Sequence, residues 1–387
     1  MNKIAFISIL IYFSNYGLAQ SQFPIKFKMS KSTSGTFTAN QARHINESRD
    51  ENTARISFTG DLLVHHDLYN KVADDPKNDF TILWKKTIPL FEKADFSYAN
   101  LEGPTALGID KLKKDQGDVG FIYKKDMQKE DNVVYSGTHF LFNFHPKIID
   151  DLRKTGIDLV STSNNHTFDR GSIGIDKTID EMNKRNFNFV GTRKKNSQDA
   201  FYKIFPVKNV NIAWIACTEA LNGFNDRFSQ TLLCFDQKKE IIEMIKTLKA
   251  RSDVDAIIIT PHWGVEYKHE PTQMQKTVGR EFLEQGALAV IGSHPHVLQP
   301  VEKYTTADGR ETFIAYSLGN FVAYQKDLRR KVSALIYLDF TKDPRSGKTT
   351  LTNYTYEPTV RFLKDIFPAR HLKEVVEHAE QFLGPLD

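Results

Sequence analysis

Cysteine is scarce in this chain of 387 residues, which contains only Cys217 and Cys234. Two thiols cannot form a disulfide scaffold, so the fold must be stabilised by an apolar core. Each cysteine lies in an apolar stretch, and this context leaves two interpretations open. The thiols are either small buried groups or the two halves of a single bridge.

A strong charge bias and internal repeats are also lacking. The formal net charge of +4 is slight for this length and gives no support to nucleic-acid binding. Apolar residues make up 40% and charged residues 26% of the chain, which argues against a fibrous, wholly disordered or multi-span membrane protein. A globular protein with a substantial core is therefore expected.

The N-terminus has the pattern of a secretory signal peptide. Lys3 precedes the apolar run Ile4–Phe13, and Gly17-Leu18-Ala19 supplies small residues at cleavage-type positions. We interpret residues 1–19 as this signal, so we expect an exported protein, periplasmic or extracellular. The apolar run is short for a bilayer span, but an uncleaved signal would anchor the protein to the membrane.

The remaining chain divides by composition. Residues 20–54 are polar without an apolar period and predict a flexible linker. From residue 55 to 325, short apolar runs alternate with amphipathic stretches, which is typical of an α/β domain. Residues 104–141 lack a clear period and predict an insertion or lid. Residues 326–387 predict a C-terminal extension, a hairpin and then a helix, packed on the same domain.

Polar clusters follow six of the apolar runs, where ligands of open α/β sheets bind. The clusters are Gly60-Asp61, Asn100-Leu-Glu102, Asn164-Asn-His166 with Asp169, His262-Trp-Gly264 with Glu266, His294-Pro-His296, and Ser317-Leu-Gly-Asn320. Each has a plain alternative, because turn residues, backbone-bonded asparagines and core histidines are common. Their shared position favours a common site.

The two imidazoles of His294-Pro-His296 are the strongest candidates for metal ligands. In an extended chain, residues two apart project to the same side, and Pro295 stiffens the backbone between them. Together the clusters supply carboxylate, amide and imidazole ligands without thiolate. That set fits Zn, Mn or Fe, disfavours Ca, and can accommodate two ions.

Six short motifs occur in order: FTGD, ANLEGP, NNHTFDRG, HWGVEY, GSHPHVLQP and YSLGNF. As an ordered set they resemble the CapA family of poly-γ-glutamate capsule biosynthesis proteins, within the calcineurin-like metallophosphoesterase superfamily. The resemblance covers residues 55–325. It implies a four-layer αββα sandwich whose strand-end loops hold two divalent metal ions.

The resemblance also implies a role for each candidate residue. The metal ligands would be Asp61 on the first ion, Glu102 bridging both, Asn165, His262 and His294 on the second, and His296 on the first. His166 would face the leaving group, and Asp169 would orient His166. The wider superfamily begins with Asp-x-His, whereas Leu63 stands two places after Asp61, so His65 or His66 would have to complete the first ligand set.

These expectations lead to one principal hypothesis and two alternatives. The first is an exported metal-dependent hydrolase or transferase that acts in the biosynthesis of a capsule or envelope polymer. Its expected partner is an anionic polymer such as poly-γ-glutamate or an envelope precursor, with membrane-bound capsule synthesis machinery as a second partner. The alternatives are a non-catalytic accessory protein that binds or exports the polymer, and a general phosphodiesterase.

Overall fold

The computed structural model describes residues 50–123, 125–138 and 141–386. The predicted signal peptide, residues 1–19, and most of the predicted linker, residues 20–54, lie outside this part of the chain. The first strand begins at Thr53, two residues before the predicted start of the domain.

Fourteen strands occur within the described residues. They are β1 (Thr53–Leu62), β2 (Phe96–Leu101), β3 (Leu159–Ser161), β4 (Asn188–Val190), β5 (Tyr202–Val207), β6 (Val210–Thr218), β7 (Ala256–His262), β8 (Ala289–Ile291), β9 (Val301–Thr305), β10 (Glu311–Ala315), β11 (Asn320–Val322), β12 (Val332–Lys342), β13 (Thr349–Phe362) and β14 (Asp365–Pro368).

Eight α-helices accompany these strands in the same part of the chain. They are α1 (His66–Asp74), α2 (Ile88–Phe91), α3 (Lys147–Thr155), α4 (Gly171–Lys184), α5 (Lys238–Lys249), α6 (Gln273–Gln285), α7 (Leu328–Lys331) and α8 (Lys373–Leu383). None of the described helices is long and apolar enough to cross a membrane.

The strands form two sheets. One has the order β14-β13-β12-β1-β2-β3-β4, with β11 also paired to β1, and the other has the order β5-β6-β7-β8-β10-β9. Strands β1 to β4 run parallel, as do β6, β7, β8 and β10, so the carboxyl ends of each parallel set meet at one sheet edge.

Alternate residues of the central strands face opposite layers, as the period of two requires. In β6, Trp214 faces the core between the sheets, whereas Ile215 faces the outer helices α5 and α6. In β12, Ile336 faces the inner core and Leu335 faces the outer layer that contains α1, α3 and α4. This is the predicted αββα order of layers. The C-terminal helix α8 packs on the inner core through Val375.

Apolar residues with helical spacing over residues 81–93 predict one helix, but the segment does not form a continuous element. The segment consists of two short 3₁₀ turns, Phe80–Leu83 and Lys85–Thr87, followed by the single-turn helix α2. Trp84 separates the two turns with a φ of −138°, outside the helical region. Its fully buried indole donates a hydrogen bond to Thr155 Oγ1 at 2.7 Å, so tertiary packing overrides local propensity here.

Cys217 and Cys234 form a disulfide, which decides between the two interpretations of these residues. The bridge joins Cys217, near the end of β6, to Cys234, 17 positions further along the chain. Both cysteines are fully buried in the core that contains α5 and α6. It therefore closes the base of the loop at residues 219–233.

We expect removal of this bridge to lower the free energy of unfolding. Closing a loop of this length is worth about 3 kcal/mol by its effect on the unfolded chain. The variant Cys217→Ala/Cys234→Ala should unfold at a lower denaturant concentration than the oxidised protein. The reduced wild-type protein is the control. Equal midpoints for all three would contradict a stabilising bridge.

Candidate metal centre

The candidate site lies where the carboxyl ends of the two parallel strand sets meet. Asp61 is the second-last residue of β1, and Glu102 follows β2 directly. From the second sheet come His262, which ends β7, and the imidazoles of His294 and His296, which follow β8. All of these side chains except His294 are buried, and His294 is half-buried.

Two close backbone approaches hold the strand ends in place. A Cβ on Gly60 would lie 1.9 Å from the carbonyl oxygen of Gly319, and a Cβ on Gly292 would lie 2.1 Å from the carbonyl oxygen of Tyr316. Only glycine permits such contacts. The first approach allows the Asp61 amide to donate to Gly319 O at 2.9 Å, which fixes the strand that carries the carboxylate.

One group of ligand atoms gathers around His262. Its Nε2 lies 3.0 Å from Asn165 Oδ1, 3.1 Å from His294 Nδ1 and 3.4 Å from Glu102 Oε1. Ligands about 2.0–2.1 Å from a zinc ion in a tetrahedral site are about 3.4 Å apart. The other three ligand atoms predicted for the second ion therefore each lie at about this distance from His262 Nε2.

A second group gathers around Asp61 and His296. His296 Nδ1 lies 3.3 Å from Asp61 Oδ2, and its Nε2 lies 3.7 Å from Glu102 Oε1. Glu102 thus stands between the two groups, which is the position of a bridging carboxylate. The ligand atoms of Glu102, His294 and His296 all lie within 4.8 Å of one another.

Glu102 gives the most direct test of whether a metal fits. Both of its carboxylate oxygens are buried, and neither accepts a hydrogen bond from the described residues. Burial disfavours the charged form, but His296 and His262 outweigh this effect and hold the pKa of Glu102 well below its usual range. An ionised, buried carboxylate without hydrogen bonds is costly, and a bound cation would satisfy it.

The outer contacts orient the ligands. Asn100 Nδ2 donates to Asp61 Oδ1 at 2.8 Å and lies 3.1 Å from His262 Nδ1, so one amide holds a ligand of each group. Asn320 Oδ1 lies 2.9 Å from His296 Nδ1. Such partners fix ring orientation in metal sites. Asn100 and Asn320 belong to the polar clusters of the sequence, but the sequence does not indicate which ligand each contacts.

The histidine pair converges for a different reason from the one predicted. The chain is not extended here, since His294 has a φ of 99° and His296 a φ of 57°. These positive values on either side of Pro295 bring the two ring centroids to 6.0 Å. Non-glycine residues rarely adopt such angles, and strained backbone of this kind clusters at functional sites.

His65 and His66 are the two residues expected to complete the first ligand set in place of Leu63. Its ring lies 5.7 Å from that of Phe142 at the site wall, and burial lowers its pKa to about 4, with the charges of His296 and Glu102 also acting on it. His66 points away, since its Nδ1 contacts the hydroxyl of Tyr123 at 2.8 Å. Of these two histidines, His65 is therefore the candidate for an additional ligand in the first set.

His166 and Asp169 form a buried pair beside the ligands. His166 Nδ1 donates to Asp169 Oδ2 at 2.8 Å, so Nε2 is the ring nitrogen that can serve a reaction. Burial disfavours the imidazolium, but Asp169 outweighs it and raises the pKa of His166 above 6.5. The ring meets Phe142 edge-on at 4.8 Å.

The insertion at residues 104–141 is tied to this pair. Asp169 Oδ2 also accepts the backbone N–H of Phe142 at 2.7 Å. The next residue, Arg170, is fully buried and donates to the carbonyl oxygens of Ile109, Leu141 and Val134. Three residues of the insertion are thus hydrogen-bonded to the residue that follows Asp169.

The fold and the site together define an α/β protein of two packed sheets with a candidate metal centre at the ends of its parallel strands. A family model described as "Bacterial capsule synthesis protein PGA_cap" matches residues 55–325. The chain belongs to this family, as the motifs predicted.

Two curated relatives are similar to the chain. The PGA biosynthesis protein CapA of Bacillus subtilis is 29% identical over 290 residues, which cover 74% of this chain and 68% of the relative. The capsule biosynthesis protein CapA of Bacillus anthracis is 25% identical over 301 residues, which cover 74% of this chain and 64% of the relative. The chain therefore spans about two thirds of the length of each.

Solved structures show weaker similarity. The calcineurin-like phosphoesterase YfkN from Bacillus subtilis has a TM-score of 0.46 at 16% identity, over 85% of this chain and 97% of that one. A phosphatase from Mycoplasma pneumoniae has a TM-score of 0.42 at 14% identity, over 83% and 97%.

The first prediction from this geometry concerns metal retention. The variant His294→Ala/His296→Ala removes one nitrogen ligand from each group, and we expect it to lose the metal that the wild-type protein retains after purification. Elemental analysis measures the loss. The exposed His371→Ala is the matched control and should retain metal. Full retention in the double variant would contradict the assignment.

The second prediction concerns protons. Burial disfavours the charged form of His296, but Glu102 and Asp61 raise its pKa to about 9, so at pH 7.5 the metal-free protein carries an imidazolium there. A metal ligand must be neutral, so Mn²⁺ binding should release about one proton, and the release should disappear as the pH rises through 9.

Titration calorimetry in two buffers of different ionisation enthalpy measures this release. His296→Gln should bind metal more weakly and without the release, whereas His66→Gln, which lies outside the ligand groups, should behave as wild type. Binding at pH 7.5 without proton release would show that His296 is already neutral.

Proposed function

We propose that this protein is an exported, dinuclear-metal-dependent hydrolase or transferase that acts on an anionic capsule or envelope polymer, poly-γ-glutamate being the first candidate. The family supplies the biological setting, capsule synthesis. The proposal of metal-dependent catalysis rests on the environment of Glu102. Its carboxylate is buried without hydrogen bonds and lies between two groups of ligand atoms.

The donor set defines the expected cofactor. Carboxylate, amide and imidazole ligands suit Mn, Zn or Fe, and a shared carboxylate suits a pair of ions about 3.5–4 Å apart. Asp61, His296 and Glu102 would hold the first ion, with His65 beside them. Asn165, His262, His294 and Glu102 would hold the second. When bound, such a pair supplies a nucleophile at neutral pH and stabilises negative charge on the reacting group.

His166 is suited to proton transfer. Asp169 fixes its Nδ1–H, which leaves Nε2 directed away from that carboxylate. The raised pKa of His166 favours the form with a second proton on Nε2, which the ring can give to a departing nitrogen or oxygen. Phe142 excludes water from one side of the ring. His166 is therefore the proposed general acid, and Asp169 is its positioning residue.

The partners and location follow from the same proposal. The polymer is the substrate, and membrane-bound capsule synthesis machinery is the proposed source of the chains on which the protein acts. The signal pattern of residues 1–19 supports export, so the reaction is proposed to take place in the periplasm or outside the cell.

The test is a substrate panel with Mn²⁺ present, γ-glutamyl oligomers against phosphodiesters, for the wild type and His166→Gln. We expect cleavage or transfer of the γ-glutamyl chain, and a fall in kcat of about 10²- to 10⁴-fold in the variant, because the leaving group loses its proton donor. Metal content should not change. His66→Gln is the matched control and should keep wild-type kcat.

Each other result has a definite meaning. Turnover of phosphodiesters alone would make the protein a general phosphodiesterase. A His166→Gln variant that retains metal and also restores capsule formation in cells lacking the protein would make it an accessory protein.

A further inference from the structure

A strongly basic segment at residues 326–331, here called the basic turn, lies between β11 and β12 and includes the single-turn helix α7. It contains Lys326, Arg329, Arg330 and Lys331 and one acidic residue, Asp327. Lys326 and Arg329 are exposed, and the side chain of Arg329 is 60% accessible. We propose that this basic turn, together with Tyr267, forms a subsite that binds successive carboxylates of an acidic polymer beside the candidate metal centre.

The turn is joined to the metal ligands by one route through aromatic contacts. The guanidinium of Arg330 lies 4.7 Å from the ring centroid of Tyr267, and that ring lies 6.0 Å from the ring of His296. The guanidinium keeps its positive charge beside this ring, and its Nε and Nη2 already pair with Asp327. Arg330 is thus one aromatic ring away from a candidate ligand.

A second route passes through the backbone. Asn320, whose Oδ1 lies 2.9 Å from His296 Nδ1, donates its Nδ2 to the carbonyl oxygen of Arg330 at 3.0 Å. The same amide therefore contacts a candidate ligand and the basic turn. Two independent connections fix the distance between Arg330 and His296.

Tyr267 is held at the rim of the site in an uncommon conformation. Its φ is 63°, and its backbone N–H donates to the carbonyl oxygen of Pro295 at 2.7 Å. Its side chain remains 40% exposed. Bulky residues seldom adopt this region, and burial does not explain it here. The conformation displays a ring at the opening of the site, next to the histidine pair.

The local charge balance favours an anionic ligand. Asp327 pairs with Arg330, Nε to Oδ2, at 2.7 Å and lies 3.8 Å from Arg329, so one carboxylate serves two guanidinium groups. Glu266 precedes Tyr267 and Lys268 follows it, whereas the nearby Glu270 pairs with Lys276. Positive charge therefore remains in excess along the rim.

A polymer fits this arrangement better than a small anion. The cations lie in a row on an exposed turn rather than around a closed pocket, and each exposed ion pair contributes little alone. Affinity must then come from several carboxylates of one chain that bind together. The identity of the ligand as a carboxylate chain rests on the proposed function, whereas the location of the subsite does not.

The test is fluorescence anisotropy with a labelled poly-γ-glutamate oligomer and the full chain loaded with Mn²⁺. All proteins carry His166→Gln so that the oligomer stays intact. We expect Arg329→Gln/Arg330→Gln to weaken binding about tenfold at low salt, with a smaller effect at high salt. Tyr267→Gly should also weaken binding, since glycine adopts the same backbone angle without supplying the ring.

The matched control is Arg345→Gln/Lys348→Gln. These two exposed cations lie in the turn between β12 and β13, at the opposite end of the sheet from Asp61, because Thr341 pairs with Thr53 at the start of β1. This variant should bind within about twofold of the parent, as expected for charges beyond the Debye length. An equal loss in the two double variants would overturn the subsite.

Further outcomes separate the two proposals when turnover is measured on the wild-type protein, in which His166 is intact. Binding that is unchanged in Arg329→Gln/Arg330→Gln, with turnover present, would overturn the subsite and leave the proposed function intact. Binding that depends on the basic turn, in a protein without turnover, would support the subsite and overturn the proposed function. Tighter binding of inorganic polyphosphate or single-stranded DNA than of the glutamate oligomer would overturn the assignment of a carboxylate ligand.

Discussion

The ionised carboxylate of Glu102, buried where two sheets meet, is the constraint on which the rest of the site depends. Its charge is balanced by imidazoles from the second sheet, yet neither oxygen accepts a hydrogen bond from the described residues. Such a group is tolerated only if the surrounding structure is rigid enough to hold it and if a cation can satisfy it. The glycines at positions 60 and 292 provide that rigidity, because they let strand ends approach more closely than any other residue allows.

The architecture explains why the ligands come from distant parts of the sequence. The parallel strands of each sheet deliver their polar loops to one edge, and packing of the two sheets face to face brings those edges together. Asp61 and Glu102 arrive from the first sheet, and His262, His294 and His296 arrive from the second. Asn100 joins the two sets, since its amide contacts Asp61 and His262 at once.

Much of this could be predicted from the sequence. Strand runs were recognisable because central strands buried on both faces are continuously apolar, and the polar residues after them had to share an edge. The failures have physical causes. Trp84 breaks a helical pattern because its indole is needed in the core. The paired histidines converge through positive φ angles that no local pattern encodes. Asn100 and Phe142 act through contacts with residues far along the chain, and the HWGVEY motif, which ends at Tyr267, does not indicate that this ring lies exposed at the rim of the site.

The shared acceptor at Asp169 has a consequence for the kinetics of the protein. One carboxylate oxygen accepts hydrogen bonds from both the amide of Phe142 and the imidazole of His166. The segment around Phe142 could therefore not move away without disturbing the contact that holds the proposed proton donor. Arg170 binds three carbonyl oxygens of the same segment and reinforces the restraint. Opening of that segment during a catalytic cycle would therefore also displace the proposed proton donor, and we expect ligand exchange to take place along the exposed rim near Tyr267.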